Sequence, residues 1–428
     1  MKCGLIGDRL SHSYSPQIHS LLADYEYKLY PLKEDEVKGF FDSKELDAFN
    51  VTIPYKKRAL ELCDSISERA RHIGAVNTVT KLDDGTYYGD NTDYDGFRYL
   101  VTHAGCDFYG KIISILGTGG ATVMSACASY DMGAKRIYIV SRDYNKAEKL
   151  CGQLTRELIE ENSDKSSASD IFVPMDYEMI KSGCDAKVLI NATPRGMYPE
   201  CEEPSVDLRD WIDLKYVFDI VANPYRSKLV LAAKEMGLTA EGGLRMLVAQ
   251  AVEASGIFIN KKNAGQLSPD DERIEKIYEV IAKEQCNIVL IGMPGCGKST
   301  YGKKLAKELS KEFVDTDSLI EEKAGMTIPQ IFEQFGEAKF REMEKDTLRE
   351  VTLRQGIVIA TGGGAILDRQ NRLNLMMNGK VIFIDAPIEV LATTGRPLSK
   401  DEDALKKMYC ERMPIYRSMA DETIYRSK

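Results

Sequence analysis

The chain has 428 residues, a formal net charge of −9 and an isoelectric point near 5.3. That balance excludes the positive face that nucleic acid or an anionic membrane surface demands, and the length exceeds one ordinary core, predicting two or three domains. Ten cysteines with no Cys-x-x-Cys pair, no apolar leader and no apolar run of about 18 residues predict reduced thiols in a cytoplasmic protein without a membrane partner.

Apolar runs at 2–7, 48–53, 111–116, 136–140, 188–191, 216–220, 287–291, 357–361 and 380–385 alternate with helical patterns. Such alternation predicts an α/β fold built on parallel sheets covered on both faces. Polar clusters follow the early strands, where open α/β sheets hold ligands: Ser13 and Ser15 in LSHSYSP, Asn50, Thr52 and Lys56 in NVTIPYK, and Asn77, Asn91 and Asp93 in AVNTV and DNTD. Reduction of a ketone needs a proton donor beside the developing alkoxide, and a lysine next to a carboxylate can hold and transfer that proton. Lys56 and Asp93 are the candidate pair. The simpler alternatives are Asp93 capping a helix from Tyr94 and Lys56 solvated like Lys57 and Arg58.

After the run 111–116 comes GTGGAT, in which Gly117 permits a tight turn while Gly119 and Gly120, followed by Ala121, let backbone approach a pyrophosphate at a helix N-terminus. Thr122 departs from the Gly-x-Gly-x-x-Gly spacing. At the end of 136–140, where an NAD site carries an acidic residue for the ribose, the chain reads Ser141 and Arg142. A guanidinium there suits a 2′-phosphate and predicts NADP, with Asp143 next door as the countervailing charge. The polar stretch 160–169 reads as a mobile loop. Ser268, Pro269, Asp270 and Asp271 then mark a helix start, and Ile274, Ile277, Tyr278 and Ile281 an amphipathic face, so a domain boundary is expected near 285.

GMPGCGKST, 292–300, follows an apolar strand and opens a helix, which is the context of a phosphate-binding loop. Backbone from Gly292 through Gly295, Cys296, Gly297, Lys298, Ser299 and Thr300 would curl around phosphate, Lys298 would add charge at the β and γ positions, and Ser299 a hydroxyl for Mg²⁺. In DTD, Asp315 and Asp317 would share one side of an extended segment, one serving hydrated Mg²⁺ and the other an acceptor hydroxyl, unless Asp317 is a helix cap. Further on stand Arg341 and Glu344 in FREME, the turn Gly362-Gly363-Gly364, Arg396 and Arg412, and arginine forks suit a carboxylate. All four histidines lie in the first quarter, so any base here is a carboxylate.

SHSYSP, NVTIPYK, GAVNTV, DNTDYDG, GTGGAT, NATPRGM and GGLRMLVAQA, spread over about 1–285, resemble shikimate dehydrogenases. The resemblance implies that Ser13 and Ser15 bind the substrate carboxylate, that Thr52, Asn77 and Gln250, with Gly243 in the same pocket, contact its hydroxyls or neighbouring groups, and that Lys56 and Asp93 are catalytic. Asn191, Ala192 and Thr193 would line the cofactor with the glycine-rich turn, Ser141 and Arg142. Asp219-Ile220-Val221-Ala222 departs from the family's Asp-x-x-Tyr, which implies either weaker substrate binding or a hydroxyl supplied by Tyr225.

GMPGCGKST, DTD, FREME, TGGGA, GRPL and ERMPIYR, over 286–428, resemble shikimate kinases. By that resemblance Asp317, Arg341, Gly363 and Arg412 bind shikimate, Lys298 and Arg396 stabilise the transferring phosphoryl group, Ser299 and Asp315 serve Mg²⁺, and Glu344 holds Arg341. A short lid at 393–399, Ala392 and Thr393 in place of basic residues, and a chain that stops soon after ETIY without a last helix imply a looser hold on ATP. Together the resemblances imply a substrate-binding domain at 1–100 completed by a helix around 243–285, a Rossmann-type NADP domain at 101–242 and a P-loop kinase domain at 286–428. The implied activity is NADPH-dependent reduction of 3-dehydroshikimate to shikimate, then ATP-dependent phosphorylation to shikimate 3-phosphate, on the route to chorismate and the aromatic amino acids. The alternative is an active dehydrogenase whose second unit is a weak kinase or a binding or regulatory module. Quinate as substrate and a homo-oligomer stay open.

Overall fold

The computed structural model describes residues 1–10, 13–160, 171–201, 206–261, 271–391 and 402–426. The expected loop at 161–169, the helix-start residues Ser268, Pro269 and Asp270, and the lid 393–399 with Arg396 lie outside the described residues. Two compact units divide the chain: Met1–Asn223 with Ala232–Ile281, and Pro224–Leu231 with Ala282–Lys428.

The first unit holds two sheets. One comprises β1 (Lys2–Gly7), β2 (Glu26–Pro31), β3 (Ala48–Val51), β4 (Ser65–Ile66), β5 (Thr78–Lys81) and β6 (Tyr87–Asp90), in the order β2-β1-β3-β5-β6-β4. Its core stacks Phe41, Phe49 and Tyr87 edge to face at 5.2–5.9 Å between centroids, a geometry that aromatic quadrupoles favour. Within this mostly parallel sheet one strand departs from the pattern: β5 runs antiparallel to both β3 and β6. The cause is local. Gly85 at φ +82° and the Asp84 carboxylate, which accepts from the Thr86 N–H and hydroxyl at 2.9 and 2.6 Å, make a tight turn, and a turn so short can only reverse the chain.

The other sheet comprises β7 (Ile112–Leu116), β8 (Arg136–Val140), β9 (Phe172–Met175), β10 (Val188–Asn191), β11 (Tyr216–Asp219) and β12 (Thr239–Glu241), all parallel, in the order β12-β11-β10-β7-β8-β9. Strand order reverses between β7 and β10, and such a switch opens a crevice at the carboxyl ends of the strands. The helix Gly120–Asp131 starts there, straight after β7. The helix expected around 243–285 is instead two, Leu244–Asn260 and Glu272–Gln285. Leu244–Asn260 is apolar almost all round and buried accordingly, whereas Glu272–Gln285 buries only Ile274, Ile277 and Ile281.

The second unit has one parallel sheet of β13 (Asn287–Ile291), β14 (Phe313–Asp315), β15 (Val358–Ala360), β16 (Gly379–Asp385) and β17 (Glu422–Tyr425), ordered β14-β15-β13-β16-β17. β13 lies at the centre, so the loop after it opens at the middle of the carboxyl edge. The segment Pro224–Leu231 belongs to this unit, with the Tyr225 N–H donating to Asn378 Oδ1 at 2.9 Å and Arg226 paired with Asp421 at 3.3 Å. Among the described residues no helix is long and apolar enough to cross a membrane.

Candidate active sites

Lys56 is the first residue of the helix Lys56–Leu62, and Asp93 the first of the helix Asp93–His103. Lys56 Nζ donates to Asp93 Oδ2 at 2.6 Å, with both side chains only partly exposed, 29 and 21%. Thr92, not Asp93, occupies the helix N-cap, and Lys56 is held by its partner rather than solvated, so neither simpler alternative describes them. The pair lines a cleft of about 770 Å³ together with Asn91, Gly119, Gly120, Ala121, Ala222, Gly243 and Gln250. A proton-bearing pair and a glycine-rich turn thus share one wall.

Ser13, Ser15, Thr52 and Asn77 cluster after β1 and β3 and before β5, at the same sheet edge, without lining that cleft directly. Asn77 is buried, and its Oδ1 accepts from the Thr92 N–H at 2.8 Å, while the Thr92 hydroxyl reaches Gln250 Oε1 at 3.4 Å. Tyr27 donates to Asn50 at 2.8 Å, Asn50 Nδ2 donates to Thr78 Oγ1 at 3.2 Å, and Ser13 Oγ accepts from the Ser15 N–H at 3.2 Å. A hydrogen-bonded layer therefore backs the cleft. Asn91 spends its Nδ2 on the Ala75 carbonyl, and its Oδ1 is buried without a partner among the described residues, an acceptor that a ligand hydroxyl can satisfy. Tyr225 does not line the cleft, which leaves Ala222 as an apolar wall where a hydroxyl was expected.

Sequence reading missed the charge beneath this wall. Arg69 clasps Asp90 at 2.7 and 2.9 Å, pairs with Asp95, and lies 4.0 Å from Glu253, one turn beyond Gln250. Burial, then the Asp95 charge, push the Glu253 carboxyl up to about 7. Buried His19, stacked 4.0 Å from Tyr27, is pushed down to about 3 by desolvation and so stays neutral.

Gly243 donates its N–H to Val221 O at 3.0 Å, and a Cβ there would come within 2.1 Å of Ile220 O. Gly243→Ala is expected to push the 220–222 wall outward. The variant should lose roughly 1–3 kcal/mol of stability and raise the dehydrogenase KM for its ketone, measured by thermal unfolding and initial rates.

Beside the switch point a second cleft, of about 810 Å³, is lined by Gly117, Ser141, Arg142, Lys146, Tyr177, Thr193 and Arg195. Nothing stands within 4 Å of where a Cβ would project from Gly119 or Gly120, so backbone there is open to a pyrophosphate at the helix N-terminus. Asp143 lines the same cleft, where its carboxylate caps the helix Tyr144–Thr155 and lies 3.9 Å from Lys146, whose charge partly offsets its own. Asn191 departs from expectation. Its Nδ2 donates to Asp219 and to Arg195 O, and its Oδ1 accepts from both Thr193 N and Thr193 Oγ1, so the side chain shapes the loop and leaves Thr193 and Arg195 facing the cleft. These residues fit a 2′-phosphorylated dinucleotide.

In the second unit Gly292, Gly295 and Gly297 hold φ of +146°, +86° and +94°, a region that L side chains rarely adopt. Lys298, buried at the start of the helix Lys298–Glu308, donates to the Gly292 and Met293 carbonyls at 2.9 and 3.0 Å and lies 3.8 Å from Cys296 Sγ. A phosphate oxygen is a stronger partner than either carbonyl. Arg426, which sequence reading missed, donates to Cys296 O at 3.0 Å and covers Gly297.

Ser299 Oγ donates to Asp315 Oδ2 at 2.5 Å, while Asp315 Oδ1 accepts from the Asp317 and Ser318 N–H groups. The extended DTD segment is thus corrected: β14 ends at Asp315, which caps the helix Thr316–Ala324, and Asp317 sits in its first turn. A hydroxyl and a carboxylate are hard oxygen donors that fit Mg²⁺. Among the described residues no three acidic, His or Cys groups converge on one point.

Lys298, Ser299, Asp317, Arg341, Glu344, Gly363 and Arg412 wall one cavity of about 510 Å³. Arg341 bonds Glu344 at 2.8 Å and Glu337 at 3.1 Å, and buried Arg412 lies beside Tyr416, whose hydroxyl donates to Gly363 O at 2.6 Å. Burial, then the Asp315 charge, push Asp317 up to about 6, and its Oδ1 and Glu344 Oε1 are buried acceptors without partners among the described residues. A Cβ at Gly362 would come within 2.6 Å of Asp317 Oδ1, and one at Gly364 within 2.5 Å of Arg341. The glycine corner is what lets carboxylate and guanidinium close on the same small space.

The first unit is thereby a Rossmann-type dinucleotide-binding protein with a separate substrate cleft, and the second a P-loop kinase domain. Residues 5–79 match the shikimate dehydrogenase substrate binding domain, and residues 294–428 match shikimate kinase. A shikimate dehydrogenase (NADP(+)) from Caldicellulosiruptor bescii is 35% identical over 282 residues, 63% of this chain and 92% of that protein. A shikimate kinase from Francisella philomiragia is 46% identical over 147 residues, 32% of this chain and 84% of that protein. The crystal structure of shikimate dehydrogenase 1 from Peptoclostridium difficile superposes with a TM-score of 0.53 at 30% identity, covering 66% of this chain and 98% of that one. The chain belongs to the shikimate dehydrogenase family through its first unit and to the shikimate kinase family through its second.

Proposed function

We propose that the chain catalyses two consecutive steps: reduction of 3-dehydroshikimate to shikimate with NADPH, and transfer of phosphate from ATP to the shikimate 3-hydroxyl with Mg²⁺. One observation supports both halves: each phosphate-binding turn shares a cavity wall with the groups suited to handle the acceptor, Gly119 and Gly120 with Lys56 and Asp93, and Lys298 with Asp317, Arg341 and Arg412. We assign 1–100 with 243–285 to substrate binding, 101–242 to NADP, save the 224–231 segment that groups with the second unit, and 286–428 to the kinase, in a cytoplasmic enzyme whose described cysteines are all free thiols.

In the first site bound NADPH supplies the hydride. Lys56 delivers a proton to the carbonyl oxygen, and Asp93 orients its ammonium. The polar layer of Asn77, Thr92 and Gln250 fixes which face of the ring is presented, with Ser13 and Ser15 toward the carboxylate. In the second site Mg·ATP supplies the phosphoryl group. Arg341 and Arg412 fork the shikimate carboxylate, Glu344 holds Arg341, Asp317 accepts the hydroxyl proton, and Lys298, with Arg396, offsets charge on the transferring oxygens. Ser299 and Asp315 would hold the cation.

A two-stage assay on one preparation tests the proposal. NADPH oxidation by 3-dehydroshikimate, followed by shikimate-dependent ADP release that Lys298→Ala abolishes, is the expected result. Without that ADP release the second unit is a binding or regulatory module, and faster turnover of quinate than of shikimate in the oxidative direction would reassign the first substrate.

A further inference from the structure

The cofactor cleft holds a second guanidinium that a dinucleotide βαβ unit does not call for. Arg195 stands in the turn after β10. Its N–H donates to Thr193 Oγ1 at 3.3 Å, and its carbonyl accepts from Asn191 Nδ2 at 3.2 Å. Asn191 is itself buried and bonded to Asp219 at 2.9 Å, so the end of the sheet dictates the course of this turn. Arg142 approaches from the other side, at the end of β8. Both residues line this cleft together with Tyr177, at the start of the helix Tyr177–Lys181: burial pushes its phenol up, while the charges of Arg142 and Arg195 pull it down. Ser141 and Lys146 line the same cleft, and among the described residues the acidic ones on its wall are Asp143, which caps a helix, and Glu200. Two guanidiniums thus line one cleft, and a dianion bound there can accept charge-assisted hydrogen bonds from both.

We propose that Arg195 acts with Arg142 as a two-sided clamp on the cofactor 2′-phosphate, with the Tyr177 ring lying against the adenine, so that coenzyme choice is set by both arginines. This deepens the NADP reading of the first site and rests on it. Sequence position alone assigns that task to Arg142, because Arg195 follows a different strand, β10.

The experiment uses the full chain and compares NADPH with NADH. Arg195→Gln is expected to raise the NADPH KM about tenfold or more, as loss of a charge-assisted contact implies, with kcat little changed and kcat/KM for NADH within about twofold of wild type. Arg195→Lys should recover part of the loss, and Arg142→Gln with Arg195→Gln should bind adenosine 2′,5′-bisphosphate more weakly than either single variant. Equal losses on NADPH and NADH, or no loss on either, overturn the clamp alone. A wild-type preference for NADH overturns the NADP reading and the clamp with it.

Discussion

Lys56→Ala is expected to lower kcat for NADPH-dependent ketone reduction by roughly 10²–10⁴-fold, the range over which a positioned general acid acts. Lys56 Nζ sits 2.6 Å from Asp93 Oδ2 on a cleft wall shared with Gly119 and Gly120, so its loss removes the proton donor without touching the dinucleotide turn. The KM for NADPH should therefore stay within a few-fold of wild type, separating a chemical defect from a binding one. Asp93→Asn should act in the same direction more weakly, since the ammonium persists while its orienting charge is gone. Shikimate phosphorylation should be unchanged in both variants, because the phosphate loop, the cation ligands and the acceptor pocket of that reaction all lie in the second unit. Initial rates of both reactions on the same preparations check this, and loss of both activities in Lys56→Ala would show that the two units do not function independently.

How far the fold was legible depends on where each strand lies. β1, β8, β10 and β13 coincide with apolar runs in the sequence because their residues are buried nearly throughout, and strands covered on both faces read as continuous hydrophobic stretches. β2, β4, β9 and β12 are sheet edges, where part of each strand faces solvent and no run develops; β2 alternates half-buried with exposed residues. The β5–β6 hairpin lies inside its sheet yet went unread, since TVTK and YYGD mix polar with apolar residues and form no apolar run, although Asp84-Gly85 between two alternating segments was an available turn signal. The candidate sites divide in the same way. Phosphate turns are contiguous and carry their spacing with them. The Arg69, Asp90, Asp95 and Glu253 cluster and the Arg142, Tyr177 and Arg195 cleft draw each group from a separate element, so only the folded chain brings them together. DTD misled for a related reason: its first aspartate ends a strand and caps the next helix, and the period of an extended segment does not survive that change.

Asp317→Asn should abolish shikimate phosphorylation while making the second unit more stable at neutral pH. The carboxylate is pushed up to about 6, by burial first and by Asp315 second, and its Oδ1 has no partner among the described residues. An acid whose folded value lies above its unfolded value of 3.8 binds its proton more tightly when folded. Its protonated form therefore favours folding at low pH, and that advantage is lost as pH rises through about 6. At pH 7.5 the protein carries an ionised, poorly satisfied carboxylate at a cost of roughly 1–3 kcal/mol, which the neutral amide removes. The Asn variant should unfold at a higher temperature than wild type at pH 7.5, and the difference should close toward pH 4. Activity runs the other way, because only the ionised form accepts the hydroxyl proton: wild-type kcat/KM for shikimate should fall about tenfold per pH unit below 6, and the variant should lose roughly 10²-fold or more at pH 7.5, the gap narrowing as the pH falls below 6. Calorimetry across pH 4–8, alongside ADP release over the range where the protein stays folded, reads both trends. A destabilised variant at pH 7.5, or a flat wild-type profile between pH 5 and 7, would remove Asp317 from the role of base and leave it as a binding group for the acceptor.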